Sequence, residues 1–596
     1  MLAYWLEKRW VQYTSLAAVL AAIIVYVGFF FDFGYEFDWS ILFTENPTYQ
    51  EHLGLTLISG LVLTIKISLV SSGIALVLGI IFGLGRLTEF APMRWLSTAY
   101  VEFFRNTPLL IQLFFWYFAF PMGLPQAARE YIFGLNYEFW CATVGLSMYT
   151  GSFMAEVIRA GLQSIPRGLL ESAYSGGLSY LQVLRTIILP LAFRNIIPPL
   201  GSEFLNNMKN SSLAMVVGVA ELTWSSQQVE SLTFRGFEAT TGATVLYLAL
   251  SLIISAILNL INVKLKIETT PKQSWNRRLA DLFFFPLILI HKSGSAILTS
   301  WYAKRAGRQK SLVRSPIQAL AIQIKASTAK VLIFGLKVAF IACFLYAAYK
   351  LIQGLIGLNW TVIWENLGTL LIWRFPHGSE NELFWGLGGL AYSILMAVIA
   401  ISVSFFIGLV VGLGRASNNQ LFRLPCLAYI ELIRGNPLII VIFWVYFFIP
   451  IVTGAFFDVF WSATIALTIF TGAYLAEIVR SGVQNIPPGQ VEAAYSTGLS
   501  YLQTMRRIIL PQALKQMIPA IVGQFIAIFK DTSLAFVIGV LELTFVAQGL
   551  NNRLMVYPFE IYTTVAFLYF ICCYAMSQYA RRLEARLSPE KQSLVM

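Results

Sequence analysis

The chain has 596 residues, 57% hydrophobic and 12% charged, with a mean hydropathy of +0.69. Soluble domains carry about a quarter charged residues, so this composition excludes a water-soluble globule and makes lipid the solvent. The net charge of +12 does not signal nucleic-acid binding, because its sign is sorted along the chain: Lys264–Lys330 holds thirteen Lys and Arg against Glu268 and Asp281, whereas Asp32–Glu51 holds five acids and no Lys or Arg. Such sorting is what the positive-inside rule produces in a membrane protein.

The first element follows Lys8 and Arg9 and runs Val11–Phe31, too long for a signal-peptide core and without an A-x-A cleavage site, so it reads as a retained helix. Further apolar runs predict spans near 63–85, 97–120, 139–159, 196–220 and 242–262, then near 331–351, 392–413, 425–449, 460–480, 518–540 and 561–580. Runs of this length cross a hydrocarbon core of about 30 Å as helices, and open sheet edges have no partners in lipid. The expected fold class is therefore an all-α polytopic membrane protein of about twelve spans. Odd-numbered gaps are acidic or neutral, while even-numbered gaps and both termini carry Arg86, Arg94, Arg167, Arg185, Arg194, Arg506, Arg507, Lys515, Arg581, Arg582 and Arg586. Both termini and the 264–330 linker are accordingly expected in the cytoplasm. Leu282–Ile290, within that linker, is too short to span and reads as interfacial. The cysteines (Cys141, Cys343, Cys426, Cys572 and Cys573) lie in or beside apolar runs without CxxC spacing and read as core residues, with no metal site.

The chain is written twice. Thr150–Pro190 and Thr471–Pro511, at an offset of 321, share 25 identities in 41 gapless positions. Gly83–Arg86 matches Gly412–Arg415, Glu102–Leu110 (EFFRNTPLL) matches Glu431–Ile439 (ELIRGNPLI), and Lys209–Leu222 matches Lys530–Leu543. Six spans per half return each half to the same side, so the repeats are parallel. The expected division is 1–53 (first helix and outer loop), 54–263 (first repeat), 264–330 (linker), 331–383 (extra helix and outer loop), 384–582 (second repeat) and 583–596 (tail).

Inside the repeated block stands Glu171-Ser172-Ala173, three residues, Gly177, nine residues, then Ile187-x-Leu189-Pro190; the second copy is Glu492-Ala493-Ala494, Gly498 and Ile508-x-Leu510-Pro511. This resembles the cytoplasmic EAA loop of ABC importer permeases, with Ser172 the departure. The residues themselves predict a short helix after Pro166, stopped at Gly177, with Pro190 barring the next helix from running on unbroken. In the resembling family that stub docks a separate ATPase subunit, so two ATPase copies are implied, with ATP and Mg bound there. This chain has no G-x-x-x-x-G-K-[ST] loop, and its three His (His52, His291 and His377) lie outside the spans, so an enzyme and a cofactor of its own are not expected. RNTPLL and RGNPLI, AEVIRAG and AEIVRSG, and KNSSLA and KDTSLA resemble the polar amino-acid uptake permeases. That resemblance implies an amino-acid substrate, an extracytoplasmic amino-acid-binding protein as partner, and residence in a bacterial inner membrane. Another small solute such as an opine, or a secondary transporter or channel with duplicated halves, are the alternatives; two docking loops have no use in the latter.

Polar residues deep in the fifth span of each half are the substrate-path candidates: Glu203, Asn206, Asn207, Lys209, Asn210, Ser211 and Ser212, and Gln524, Lys530, Asp531, Thr532 and Ser533. Charge at that depth is expensive unless paired or facing a cavity; the alternative is a structural Lys–Asp pair. Glu203, Asn206 and Asn207 share a face at i, i+3, i+4, and their counterparts Gln524, Ala527 and Ile528 are less polar, which predicts unequal walls. Glu102/Arg105, Glu156/Arg159, Glu431/Arg434 and Glu477/Arg480 are i,i+3 pairs read as gate supports, with plain bracing the alternative. Gly79/Gly83 and Gly408/Gly412 are small-xxx-small packing faces.

Overall fold

A computed structural model describes residues 9–29, 31–46, 51–265, 316–374 and 387–587. Residues 266–315 of the linker, with Leu282–Ile290, and the tail beyond 587 lie outside these residues; 316–330 begin the helix Pro316–Ile356. The described chain is helical apart from two two-residue β-ribbons in the outer loops, Glu45–Asn46 with Glu51–His52 and Trp373–Arg374 with Leu387–Gly388. Among the described residues eight helices are long and apolar enough to cross a membrane, nine if one bent pair counts as a span.

Each predicted span maps onto helix, but the third of each half is not one rod. Ala91–Asn106 ends at Thr107 and resumes at Leu109; Gln420–Gly435 ends at Asn436 and resumes as Leu438–Thr453, turned by 112°. Pro108 and Pro437 are the cause. A residue before proline is pushed into extended backbone, and Thr107 (ψ 145°) and Asn436 (ψ 155°) adopt it. The fifth span departs the other way. Leu189–Asn210 continues back through Leu184–Ile188 to Tyr180, and Leu510–Asp531 likewise through Met505–Ile509 to Tyr501. Pro190 and Pro511 do not interrupt these helices, contrary to the sequence expectation. One wide π-turn precedes each: the Leu189 N–H bonds the Leu184 carbonyl and the Leu510 N–H the Met505 carbonyl. The widened turn makes room for the ring and uses no proline N–H.

Helices two and four of each half press together on the glycine faces. A Cβ on Gly79 would stand 2.7 Å from the Met154 Cβ, and one on Gly412 would stand 2.6 Å from the Ala476 carbonyl oxygen. The halves exchange outer arms: Arg9–Phe29 packs on Gln420–Gly435 of the second half, where Gln12 accepts the Gln420 N–H at 2.9 Å. Phe340 of Pro316–Ile356 stacks edge-on against Phe90 of the first half. The repeat also extends further out than 54. Asp38–Phe43 (DWSILF) matches Asn359–Trp364 (NWTVIW) at the same offset of 321. The Asp38 N–H donates to Glu238 at 2.9 Å, and the Asn359 N–H to Glu560 at 3.2 Å.

After the fifth span both halves turn at a left-handed glycine, Gly218 or Gly539, into a twelve-residue helix, Leu222–Thr233 or Leu543–Leu554. A buried glutamate caps each. Glu221 accepts the Thr223 and Trp224 N–H groups and the Tyr247 hydroxyl (2.6 Å); Glu542 accepts those of Thr544, Phe545 and Tyr569. Because Glu221 and Glu542 are fully buried, a carboxylate that takes three donors removes orphan N–H groups that would otherwise be left unpaired.

Candidate functional site

The two motif loops fold alike. Arg167–Ser175 and Pro488–Ser496 are nine-residue helices, each closed by glycine in left-handed conformation: Gly177 at φ 79° and Gly498 at φ 81°. The Gly177 N–H bonds the Tyr174 carbonyl and the Leu178 N–H reaches back to Ala173, a pattern repeated by Gly498 on Tyr495 and Leu499 on Ala494. This double closure requires φ > 0 at one residue, which only glycine adopts without a Cβ clash. Ala173 and Ala494 are buried against the body; Glu171, Glu492 and Ala493, with Tyr174, Tyr495, Leu181 and Leu502, face outward. Leu189 and Pro190 are exposed, as is Pro511, while Leu510 is half-buried.

The break in the third span creates the second feature. A helix ending inside the bundle presents carbonyls without partners. Asn106 and Asn436 turn back to cover the Glu102 and Leu432 carbonyls. The next ones are taken from across the molecule. Lys530 of the second half donates to the Arg105 carbonyl at 2.9 Å, and Lys209 of the first half donates to the Arg434 carbonyl at 3.0 Å. Both lysines are over nine-tenths buried. Lys209 also lies 3.4 Å from the Tyr474 hydroxyl, and Lys530 lies over the Tyr149 and Phe153 rings. A cation here meets the negative end of a helix dipole as well as a lone pair. No Lys530–Asp531 ion pair forms among the described residues.

Between the lysines lies a cavity of about 800 Å³ lined by both halves. Of the fifth-span candidates, Glu203, Asn206, Lys209, Asn210, Ser212, Gln524, Lys530, Asp531 and Ser533 line it. Asn207, Ser211 and Thr532 do not. Asn207 is consumed inside the first half, accepting from Thr150 (2.8 Å) and donating to Ser71 (2.7 Å) and Ser72 (2.8 Å). Ser211 bonds the Met208 carbonyl and Ser68, and Thr532 the Phe529 carbonyl. The shared helix face read from the spacing therefore holds only Glu203 and Asn206 toward the cavity.

The charged pairs also divide. Glu156 with Arg159 and Glu477 with Arg480 (2.5 Å) are paired within their helices. Glu102 with Arg105 is not a pair: Glu102 faces Arg86 at 3.9 Å and Arg581 at 3.5 Å, and Arg105 lies over the Phe153 ring. Arg434 lies over Tyr474 in the same manner, and no Glu431–Arg434 pair forms among the described residues. The i,i+3 spacing permits a pair; the break three residues on draws the guanidinium to an aromatic face. Arg86, bridging Glu156 at 2.6 Å, and Arg581 enter the sequence reading as cytoplasmic charges and not as site residues, and Tyr149 and Tyr474 do not enter it at all. Glu102, Arg105, Glu156 and Arg159 line the cavity, whereas Glu431, Arg434, Glu477 and Arg480 do not, so of these four pairs only those of the first half reach it.

Comparison with known proteins agrees with this duplicated geometry. Residues 75–267 and 404–589 each match the family described as binding-protein-dependent transport system inner membrane component. A probable glutamine ABC transporter permease protein of Bacillus subtilis is 42% identical over 210 residues, 35% of this chain and 96% of its own length. The L-cystine transport system permease of the same organism is 35% identical over 37% of this chain and 93% of its own. A solved amino acid ABC transporter with histidines is 31% identical, covering 35% of this chain and 94% of that one, with a TM-score of 0.32.

The crossed lysines give a direct test. Lys209→Met and Lys530→Met each leave a helix-end carbonyl unpaired and should lower stability in detergent by about 1.5–3 kcal/mol. Thermal unfolding of the purified chain is the measurement. Unchanged melting in both variants contradicts a supporting role for the two bonds.

Proposed function

The chain belongs to the family of binding-protein-dependent transport system inner membrane components, and from that membership we infer a permease subunit of an amino-acid ABC importer carrying both transmembrane halves in one polypeptide. It is a multi-pass inner-membrane protein and a transport component, not an enzyme. The observation that carries the reading is the pair of glycine-closed helices at matched places within the two repeats. Each is anchored by one buried alanine and leaves its aromatic and acidic residues free for a partner. We propose that these helices dock two copies of a separate ATPase, where ATP and Mg bind, and that an extracytoplasmic amino-acid-binding protein delivers substrate from the other side.

Motor movement would tilt Arg167–Ser175 and Pro488–Ser496, each joined through its closing turn to an unbroken fifth span. Those spans carry Lys209 and Lys530 to the breaks of the opposite third spans, so the two halves must move together. The cavity between them is the proposed transit site. A polar amino acid suits it because both a carboxylate (Glu203) and a guanidinium (Arg105) line it. Opposite Glu203 the second half offers the neutral Gln524, so the walls differ in charge. The charge sorting of the loops supports a cytoplasmic location for both termini and the linker.

Three outcomes follow. Gly177→Val with Gly498→Val forces a branched residue into left-handed backbone, at about 1–2 kcal/mol per site; the chain should insert normally but lose ATPase subunits or their coupling, with single variants milder. Normal transport and ATP hydrolysis by the double variant would count against docking at these helices. Cysteines introduced at Lys304–Arg314 in a cysteine-free background should resist an impermeant thiol reagent applied outside cells, and those at Phe33–Glu45 should react; the reverse pattern inverts the topology. Glu203→Gln should reduce uptake of cationic relative to neutral amino acids by about tenfold, the scale of one lost charge-assisted bond, and Gln524→Ala should matter less. Equal loss for all substrates in both variants removes Glu203 from recognition.

A further inference from the structure

This inference builds on the importer reading. Two non-glycine residues have positive φ among the described residues, Phe234 at 56° and Met555 at 55°. They are counterparts at the offset of 321, each the first residue past the twelve-residue helix that follows the fifth span. Their N–H groups close those helices on the Glu230 and Asn551 carbonyls. At such a position glycine or asparagine is usual, because a Cβ crowds the carbonyl. The chain itself uses glycine at other matched left-handed turns, Gly177 with Gly498 and Gly218 with Gly539. At this one turn it instead holds a large apolar residue in both repeats, although the two are chemically different. Strained backbone retained at one site in both copies points to a use for the side chain.

Neither side chain serves the fold. Phe234 is 86% and Met555 74% exposed. Polar groups border them: the Arg235 guanidinium bonds the Glu36 carbonyl beside the Tyr35–Glu238 pair, and Arg553 bonds Asn366 at 2.8 Å, while Val556 beside Met555 is also exposed. An apolar knob bordered by such polar groups fits a protein interface, with its apolar centre and wet border.

The knobs are also rigidly connected. The helix behind Phe234 starts at Glu221, fixed to Tyr247 and its own first-turn N–H groups. The tight turn preceding it, Ser211–Val217, begins two residues after Lys209. Met555 is joined in the same way through Glu542 and Thr532–Ile538 to Lys530. A load on either knob therefore bears on the lysine that crosses to the other half.

We propose that Phe234 and Met555 are paired docking knobs for the extracytoplasmic solute-binding protein, one per half. They seat in apolar dimples with polar rims on that partner and signal its arrival to the crossed lysines. The test uses the full chain with its ATPase subunits in lipid nanodiscs and a purified amino-acid-binding protein from the same organism. Phe234→Gly with Met555→Gly removes the knobs and relaxes the backbone. Melting temperature and basal ATP hydrolysis should hold, while affinity for the binding protein falls about tenfold or more and stimulated hydrolysis is lost. Phe234→Leu with Met555→Leu should retain both. Affinity of the double glycine variant within twofold of wild type overturns the knobs while leaving the importer reading intact. Failure of the wild-type complex to bind the protein at all overturns that reading, and this inference with it.

Discussion

A helix that stops in the middle of a membrane protein leaves carbonyl groups facing a solvent that cannot bond them, and much of this structure follows from how two such ends are satisfied. Lys209 and Lys530 leave their own half to reach the Arg434 and Arg105 carbonyls. Each bond settles two debts at once: an ammonium buried beyond reach of water gains an acceptor, and a helix end gains a cation against its dipole. Because both bonds cross the same interface in opposite directions, neither half is complete without the other. The broken third spans, the crossed fifth spans and the cavity between them are one arrangement, and the proline after each break sets its place.

Within that symmetric frame the halves have diverged where they face each other. Glu203 stands opposite Gln524 and Asp531 opposite Asn210; Tyr149 and Phe153 in one half become Phe470 and Tyr474 in the other. The ion network has moved likewise. Arg86, Glu102, Glu156 and Arg159 are joined by Arg581 from the last helix of the second half, and Ser577 on the same helix bonds Asn106 at 3.2 Å. The second half has Gly435 in place of Asn106, so this side-chain contact has no copy there. A chain that always pairs its first half with its second can keep such differences, because the two walls never exchange places.

Much of this was legible in the residues. Long apolar runs at 12% charge leave only helices in lipid, and the repeated motif fixed the short helix and its closure at Gly177, because glycine-dependent turns are local; that Ala173 is buried rather than exposed was decided by packing. The matching of Asp38–Phe43 with Asn359–Trp364 was equally visible in the repeat offset, although it lies in outer loops whose docking on Glu238 and Glu560 is tertiary.

What the sequence by itself determined was periodic or local: the helical class, the duplication, the polar fifth spans and the glycine-closed stubs. Partners across the bundle were decided only by tertiary structure. Spacing of three placed Glu102 beside Arg105, yet Arg86 and Arg581 claimed the carboxylate from other helices, and Arg105 turned to Phe153. Pro190, which by local rule should interrupt a helix, was absorbed by a wider turn. Asn207, polar and deep like Glu203, was drawn into a buried network with Thr150, Ser71 and Ser72 rather than the cavity. For the side-chain pairs the local preference is worth about 0.5 kcal/mol or less, whereas an unsatisfied polar group in a dry interior costs more, so the groups brought near by packing decided the outcome.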